Sequence, residues 1–230
     1  MMIGIMGAMR EEITPLLEQC QDVVTHNYGM NDYHVATFEG HRVVIAYSKI
    51  GKVNAAMTAT LMIEKFGIRS LLFTGVAGGI DPRLTIGDLV FGTSLVQHDV
   101  DITAFGHPWG FVPESGDFYH ADEHLLQVAR QTAQKLRLNC VEGVIATGDQ
   151  FIASQEKKLW IHEIFKAVAL EMEGASVAAV CSALGCPFFV LRSISDVADG
   201  DAGISFETFL ESSAKQSAQF LTTMIRELVV

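Results

Sequence analysis

The segment Phe188-Phe189-Val190-Leu191-Arg192-Ser193-Ile194-Ser195-Asp196 changes character half-way along. Its first four residues form a short apolar run behind Gly185-Cys186-Pro187, the mark of a buried strand. Arg192, Ser193, Ser195 and Asp196 then put polar and charged groups where that strand opens into a loop, before it runs out at Asp199-Gly200. A carboxylate there is costly to bury unless it has work: it can hold and give a proton, or it can cap a turn with Arg192 as its counter-charge. Similar groups follow other expected strands. They are Glu12 after Gly7-Ala8-Met9, the glycine-rich Thr74-Gly75-Val76-Ala77-Gly78-Gly79, Phe151-Ile152 after Gly148-Asp149-Gln150, and Glu171-Met172-Glu173. Strand ends that share one edge of a sheet would gather them into a pocket. That pocket holds three carboxylates, one arginine, backbone donors and an apolar wall from Met9, Phe151 and Met172. Carboxylates so close together cannot all ionise freely, so some keep raised pKa values and are available as acids.

The elements that must position these groups are legible from periodicity. Residues 2–6 read as a buried strand, and residues 10–18 as a short helix with Glu11 and Glu12 in its first turn, where the macrodipole favours anions. Adjacent glutamates on a helix point differently, so the two can have separate roles. Residues 22–38 and 41–47 alternate as a meander with turns at 28–32 and 39–40. An Ala-rich helix at 53–66, a strand at 70–74 and the glycine-rich turn follow. Three glycines in five residues let a backbone approach a ligand or form an anion-binding nest. Residues 84–96 read as a strand, and 98–119 as a long loop rich in Gly, Pro and aromatics, the composition of an interface or an apolar lid. Helices at 121–136, 154–165, 175–184 and 205–229 alternate with strands at 140–146 and 167–170. Ser154 and Ser205 are placed as N-caps. Alternating strands and helices with an early meander predict an α/β fold, a mixed central β-sheet flanked by helices in three layers, as one domain over residues 1–230. The first turn lacks G-x-G-x-x-G, so it is not a dinucleotide fingerprint.

Bulk properties narrow the partners. The 230 residues suffice for one good-sized core, and 49% hydrophobic content argues against disorder. A net charge of −11 with no Lys/Arg cluster argues against nucleic acid and favours a small ligand. Cys20, Cys140, Cys181 and Cys186 make no C-x-x-C or zinc spacing and read as buried apolar residues of a reducing compartment. His120 and His124 are spaced i, i+4 but have no third ligand nearby, so no metal is expected. No leader and no membrane span is read, and a cytoplasmic location is expected.

Six segments together resemble the bacterial 5'-methylthioadenosine/S-adenosylhomocysteine nucleosidases of the nucleoside phosphorylase/hydrolase superfamily. They are Gly4 to Met9 with Glu11-Glu12, Thr74 to Gly79, Asp99-Val100-Asp101-Ile102-Thr103-Ala104-Phe105-Gly106, Gly148 to Ile152, Glu171-Met172-Glu173 and Arg192 to Ala198. The resemblance runs from residue 2 to about residue 221. It implies cofactor-free hydrolysis of the N-glycosidic bond of methylthioadenosine and adenosylhomocysteine, and also 5'-deoxyadenosine, in methionine salvage and the activated methyl cycle. Asp196 would protonate adenine N7 as a general acid. Glu12 would orient and deprotonate water on the opposite face, as in inverting glycoside hydrolysis. Glu173 would accept from the ribose hydroxyls and favour a cationic sugar, and Arg192 would position the water or Glu173. Phe151 would stack on adenine, with the Phe151 and Ile152 backbone reading its edge. Met9, Ile50, Met172 and Phe206 would wall the ribose and 5' group, while Val76, Ala77, Gly78 and Ser195 complete the substrate contacts. A homodimer is implied, with Ile102, Phe105 and Pro113 of one subunit closing the 5' end of the other.

This sequence departs from that pattern in places. Val76 stands where many relatives carry Ser, which removes a hydroxyl but leaves the backbone role. Gln97 precedes His98 where an aromatic is common, Trp109 and Pro108 would reshape the 5' pocket, and Arg10 stands where an acid is common. Three other functions stay open: a phosphorylase, a non-catalytic nucleoside-binding protein, and a hydrolase of aminodeoxyfutalosine. A phosphorylase needs cations beside C1'; the glycine-rich turn has no Arg, Glu12 would repel phosphate, and Arg10 and Arg192 are the candidate cations.

Overall fold

The computed structural model describes residues 2–197 and 202–228. In chain order the elements are β1 (Met2–Gly7), α1 (Arg10–Leu17), β2 (Gln21–Tyr28), β3 (Asn31–Phe38), β4 (His41–Tyr47), α2 (Lys52–Glu64), β5 (Ser70–Phe73) and β6 (Val76–Gly79). There follow β7 (Leu89–Gln97), β8 (Phe118–His120), α3 (Glu123–Leu136), β9 (Cys140–Thr147), α4 (Gln155–Phe165), β10 (Ala167–Glu171), α5 (Gly174–Ala183), β11 (Phe188–Asp196) and α6 (Ala202–Glu227).

All eleven strands join one mixed sheet in the order β2-β3-β4-β1-β5-β11-β6-β10-β9-β7-β8, and β7 also pairs with β11. That extra pairing closes β11, β6, β10, β9 and β7 into a ring, leaving β2 to β5 and β1 as an open wing. The strand β11 is the hinge between the two. Its first half pairs in parallel with β5 and its second half with β6, while β7 runs antiparallel along its other side. Every residue of β11 is buried, as a strand covered on both faces must be. Its side chains alternate as the two-residue period demands. Phe188, Val190 and Ile194 join the core under α2 and α5, whereas Phe189 and Leu191 join the core under α1, α3 and α6. In the second core Phe91 packs at 5.4 Å from Phe189 and 5.3 Å from Phe220. A third cluster, with Val96, Ile161, Phe165 and Leu170, fills the space beneath α4.

Several local expectations are corrected. Thr74 to Gly79 is not simply a turn: Val76–Gly79 pairs on both sides as β6. The strand expected from residue 84 begins at Leu89, because Gly87-Asp88 makes a turn in which the Asp88 carboxylate accepts from the Thr85 amide and hydroxyl. The last helix is already formed at Ala202, so Ser205 is not its N-cap. Ser154 does cap α4, accepting from the Lys157 amide. The long loop is not structureless, since it contains a 3-10 turn at Thr103–Phe105 and the strand β8. Trp109 docks edge-on against Trp160 of α4, with ring centroids 4.9 Å apart, and does not line the pocket described below. The Asp199-Gly200 stop lies outside the described residues, as does Ala198. Among the described residues no helix is long and apolar enough to cross a membrane, and no His/Cys/Asp/Glu cluster could hold a metal.

Candidate active site

One cavity of about 300 Å³ opens where the ends of β1, β6, β10 and β11 meet. The strands around it run in two directions. The strands β1, β5, β6 and β11 are mutually parallel, and β7, β9 and β10 form a second parallel set. The sets meet antiparallel at β6–β10 and β11–β7. The expectation of one shared sheet edge is therefore corrected: the ring brings the C-terminal ends of two opposed sets face to face.

Glu12 is the third residue of α1 and is buried. One carboxylate oxygen accepts from the Ala8 amide at 2.6 Å and the Met9 amide at 3.0 Å, and the other from the Val76 amide at 3.1 Å. The reach back to Met9 is half of a capping box, so local helix chemistry places the side chain and β6 fixes it from across the cavity. Gly75 is required for this approach: a Cβ there would lie 2.6 Å from Glu12 Oε1. Burial raises the Glu12 pKa, while the Arg192 charge and the three amides pull it back. A carboxylate held in this way still has acceptor capacity for a water. Neighbouring Glu11 is exposed, so the two glutamates do divide their environments.

Asp196 ends β11. The register against β6 slips between Ile194 and Asp196, so two residues of β11 face one of β6. Such a bulge re-aims side chains, and here consecutive Ser195 and Asp196 both reach the cavity. Asp196 is buried and accepts from the Ser195 hydroxyl at 3.0 Å.

Glu173 caps the start of α5, and one of its oxygens accepts from the Gly51 amide at 2.8 Å. Burial and then the charge of Glu171 push its carboxyl up to about 8, against the opposing pull of the Gly51 amide and Arg192. Glu171, at the end of β10, holds the polar centre of the floor. It accepts from the Thr147 hydroxyl, from the Gly174 amide at 2.7 Å and from Arg192 at 2.7 Å. Arg192 is 1% exposed, lies 4.1 Å over the Phe73 ring, and donates to the Leu191 carbonyl at 3.0 Å. From the sequence, Arg192 is expected to position a water or Glu173, or to neutralise Asp196. Its carboxylate partner is Glu171, and its charge lowers the pKa of both Glu12 and Glu173.

The walls are apolar. Met9 and Ile50 stand on one side, Phe206 and Met172 on others, and the backbone of Val76, Ala77 and Gly78 forms an edge. Phe151 and Ile152 lie at the mouth, with Phe151 packed edge-on against Phe206 at 5.8 Å. Together with Glu12, Glu173, Ser195 and Asp196, these are all the residues placed in the site from the sequence except Arg192, which lies under the floor. Ile102, Phe105 and Pro113 do not line this chain's own cavity.

The sequence profile of the phosphorylase superfamily matches residues 2–226. The chain belongs to that superfamily. An aminodeoxyfutalosine nucleosidase of Campylobacter jejuni is 52% identical over 228 residues, covering 99% of this chain and all of that one. A 5'-methylthioadenosine/S-adenosylhomocysteine nucleosidase of Anoxybacillus flavithermus is 40% identical over 230 residues, with 99% of each chain covered. Among solved structures, a mutant Helicobacter pylori nucleosidase with 5'-methylthioadenosine in its active site superposes with a TM-score of 0.97. It is 51% identical, and 98% of each chain is covered.

Within this superfamily site, Glu171 is the polar group that sequence reasoning passed over in favour of Glu173. A signal for it existed: Arg192 directly follows the apolar run Phe188-Phe189-Val190-Leu191 of an expected buried strand, and a buried guanidinium requires a buried carboxylate. Ala8 and Gln150 also line the cavity and were not singled out. Nothing in their residue types marks them, because Ala8 contributes its amide.

Proposed function

We propose that this chain is an N-glycosidic hydrolase that releases adenine from 5'-methylthioadenosine and S-adenosylhomocysteine, with 5'-deoxyadenosine as a further substrate. The observation that carries the reading is the charge of the cavity. It is lined by Glu12, Glu171, Glu173 and Asp196, and among the described residues no lysine or arginine lines it. Arg192, the nearest guanidinium, is already engaged by Glu171. A phosphorylase needs free cations to hold phosphate beside the sugar, whereas a cationic sugar and a neutral water suit these carboxylates.

In this reading Asp196 gives a proton to adenine N7, and the departing base leaves an oxocarbenium-like ribose. Glu12 takes a proton from water on the opposite face, and burial, which raises its pKa above the ordinary carboxylate range, makes it a stronger base than an exposed glutamate. Glu173, whose carboxyl is pushed up to about 8, exchanges its Gly51 contact in part for hydrogen bonds with the ribose hydroxyls. Phe151 stacks on adenine. Val76 supplies its amide to Glu12, so the backbone role at that position does not need the serine hydroxyl.

A second subunit completes the 5' end in this reading. Ile50 on the cavity wall is 52% exposed, and Phe105, away from this chain's own cavity, is 82% exposed; apolar surface of this kind suits a homodimer in which Ile102, Phe105 and Pro113 of one subunit close the cavity of the other. Aminodeoxyfutalosine is a further substrate candidate. It is supported by a Campylobacter jejuni relative of that name at 52% identity, while a Campylobacter jejuni structure at the same 52% identity bears the methylthioadenosine/adenosylhomocysteine nucleosidase name, so both substrates belong in the test.

The test is adenine release from methylthioadenosine, adenosylhomocysteine and aminodeoxyfutalosine, each with and without phosphate. Release independent of phosphate, giving a free sugar, is expected. A sugar 1-phosphate would overturn the hydrolase reading, and no release from any of the three would leave a binding protein.

A further inference from the structure

A closed polar ring ties the start of α2 to the segment that follows β7 and to the loop that carries Phe151. The Lys52 ammonium bonds Asp99 Oδ1 at 2.7 Å. Asp99 Oδ2 accepts from the Asp149 amide at 2.9 Å. Asp149 Oδ1 accepts in turn from the Lys52 amide at 2.8 Å. Gln97 joins from the end of β7, its side-chain oxygen 3.1 Å from the Lys52 ammonium. Lys52, Asp99 and Asp149 come from three different parts of the chain, so the ring exists only in the fold.

Two features mark this ring as more than a surface ion pair. Lysine in the first turn of a helix opposes the macrodipole, and Asp149 offsets that by accepting from the same residue's amide. The Lys52 and Asp99 side chains are only 18% and 13% exposed, so water screens the pair little. The ring also has an output. The residue before Lys52 is Gly51, held at φ 98°, a conformation open to glycine. A Cβ there would sit 3.1 Å from Asp149 Oδ1. The amide presented by this constrained residue is the one that bonds Glu173 at 2.8 Å.

We infer that Asp99, Lys52 and Asp149 are positioning residues that hold the Gly51 amide on Glu173 and align the sugar-binding carboxylate with the adenine loop that carries Phe151. The inference rests on the assignment of Glu173 to the sugar. It gives a task to Asp99, which lies at the entrance of the loop carrying Ile102 and Phe105. Burial alone would raise the Asp99 carboxyl; the Lys52 ammonium and the Asp149 amide outweigh it and hold the group below the ordinary range. The ring is therefore charged at neutral pH.

Glu173 is faced by Glu12 from α1, Glu171 from β10, Arg192 from β11 and the Gly51 amide. Only the last depends on the ring, and it lowers the Glu173 pKa. Loosening the ring should therefore raise it. The experiment compares Asp99→Asn, Lys52→Met and Lys52→Arg with the parent protein, and takes Glu39→Gln, in an exposed ion pair with Arg226, as a control. For Asp99→Asn and Lys52→Met, kcat for methylthioadenosine should fall roughly tenfold with KM within about twofold, the size of one lost charge-assisted hydrogen bond. The Glu173 carboxyl, followed by 13C NMR in the unliganded protein, should titrate about half to one unit higher. Lys52→Arg should retain most of both properties, and Glu39→Gln should match the parent. An unshifted Glu173 titration in folded Asp99→Asn and Lys52→Met, or equal damage from Lys52→Arg and Lys52→Met, overturns the inference. A parent protein that releases no adenine defeats the hydrolase assignment instead, and the NMR titration then judges the ring by itself.

Discussion

The floor and the mouth of the cavity are built on opposite principles. At the floor, Arg192, Glu171 and Thr147 are buried and bonded to one another, and Glu12 is held by three amides. At the mouth, Phe151 is 52% exposed and packs edge-on against Phe206. The floor is thus fixed by bonds within the protein itself, as electrostatic catalysis requires, since donors and charges that must reorganise during reaction contribute less. The mouth is apolar and open, suited to burying a base and a 5' substituent that differ between substrates. Chemistry and selectivity are separable in such a molecule, and substitutions can test that separation.

The largest effect should come from Asp196→Asn, which removes the proton donor and leaves the fold. Turnover should drop by about 10²–10⁴, the usual contribution of a general acid, while adenine still binds by calorimetry. Near-normal turnover would end the acid assignment. Glu12→Gln should cost on the order of 10²-fold in kcat with little change in KM. Gly75→Ala should do similar damage from a distance, because its Cβ would displace Glu12 Oε1. If Gly75→Ala keeps full activity, the floor is softer than its packing implies.

Breaking the floor's ion pair tests its stability separately. Arg192→Met leaves the Glu171 charge buried without its partner and should destabilise the protein by about 3–5 kcal/mol, read from a urea midpoint. A loss near zero would mean that the ion pair adds nothing to the stability of the floor.

The pH dependence follows from Glu173. Its carboxyl is raised to about 8 by burial and by Glu171, so between the ordinary glutamate range and about 8 the folded state holds a proton that the unfolded chain has released. Protonation then favours folding, and that contribution fades as pH rises through this window. The urea midpoint of the parent should fall relative to Glu173→Gln from pH 5 to pH 8.5. Parallel midpoints would show that Glu173 is ionised throughout.

The smallest effects belong to the mouth. Phe151→Leu should raise KM by roughly tenfold through lost stacking area and leave kcat nearly intact. Phe105→Ser should weaken only substrates with long 5' groups. Dilution to monomer should do the same, and unchanged selectivity in both cases would remove the partner loop from the site.

Sequence reasoning reached far where local rules decide. The apolar run at 188–191 could only be a buried strand. Glu12 sits in the first turn of a helix, and Ser154 begins α4 as a cap, because capping and periodicity act over a few residues. The six ordered motifs carried the family, and with it almost every residue lining the cavity. What the sequence left open involves partners far apart in the chain. It did not say that Arg192 would choose Glu171, 21 positions away, over Glu173 or Asp196. Nor did it show that two opposed sets of strands would close into a ring and bring their ends together. Asp99 and Asp149 stood in two of the six motifs, but their link to each other through Lys52 exists only once α2, the end of β7 and the adenine loop are folded against one another. Backbone conformation and capping are paid for locally and can be read residue by residue, whereas the partner of a buried charge is fixed by which surfaces the sheet brings within about 3 Å of it.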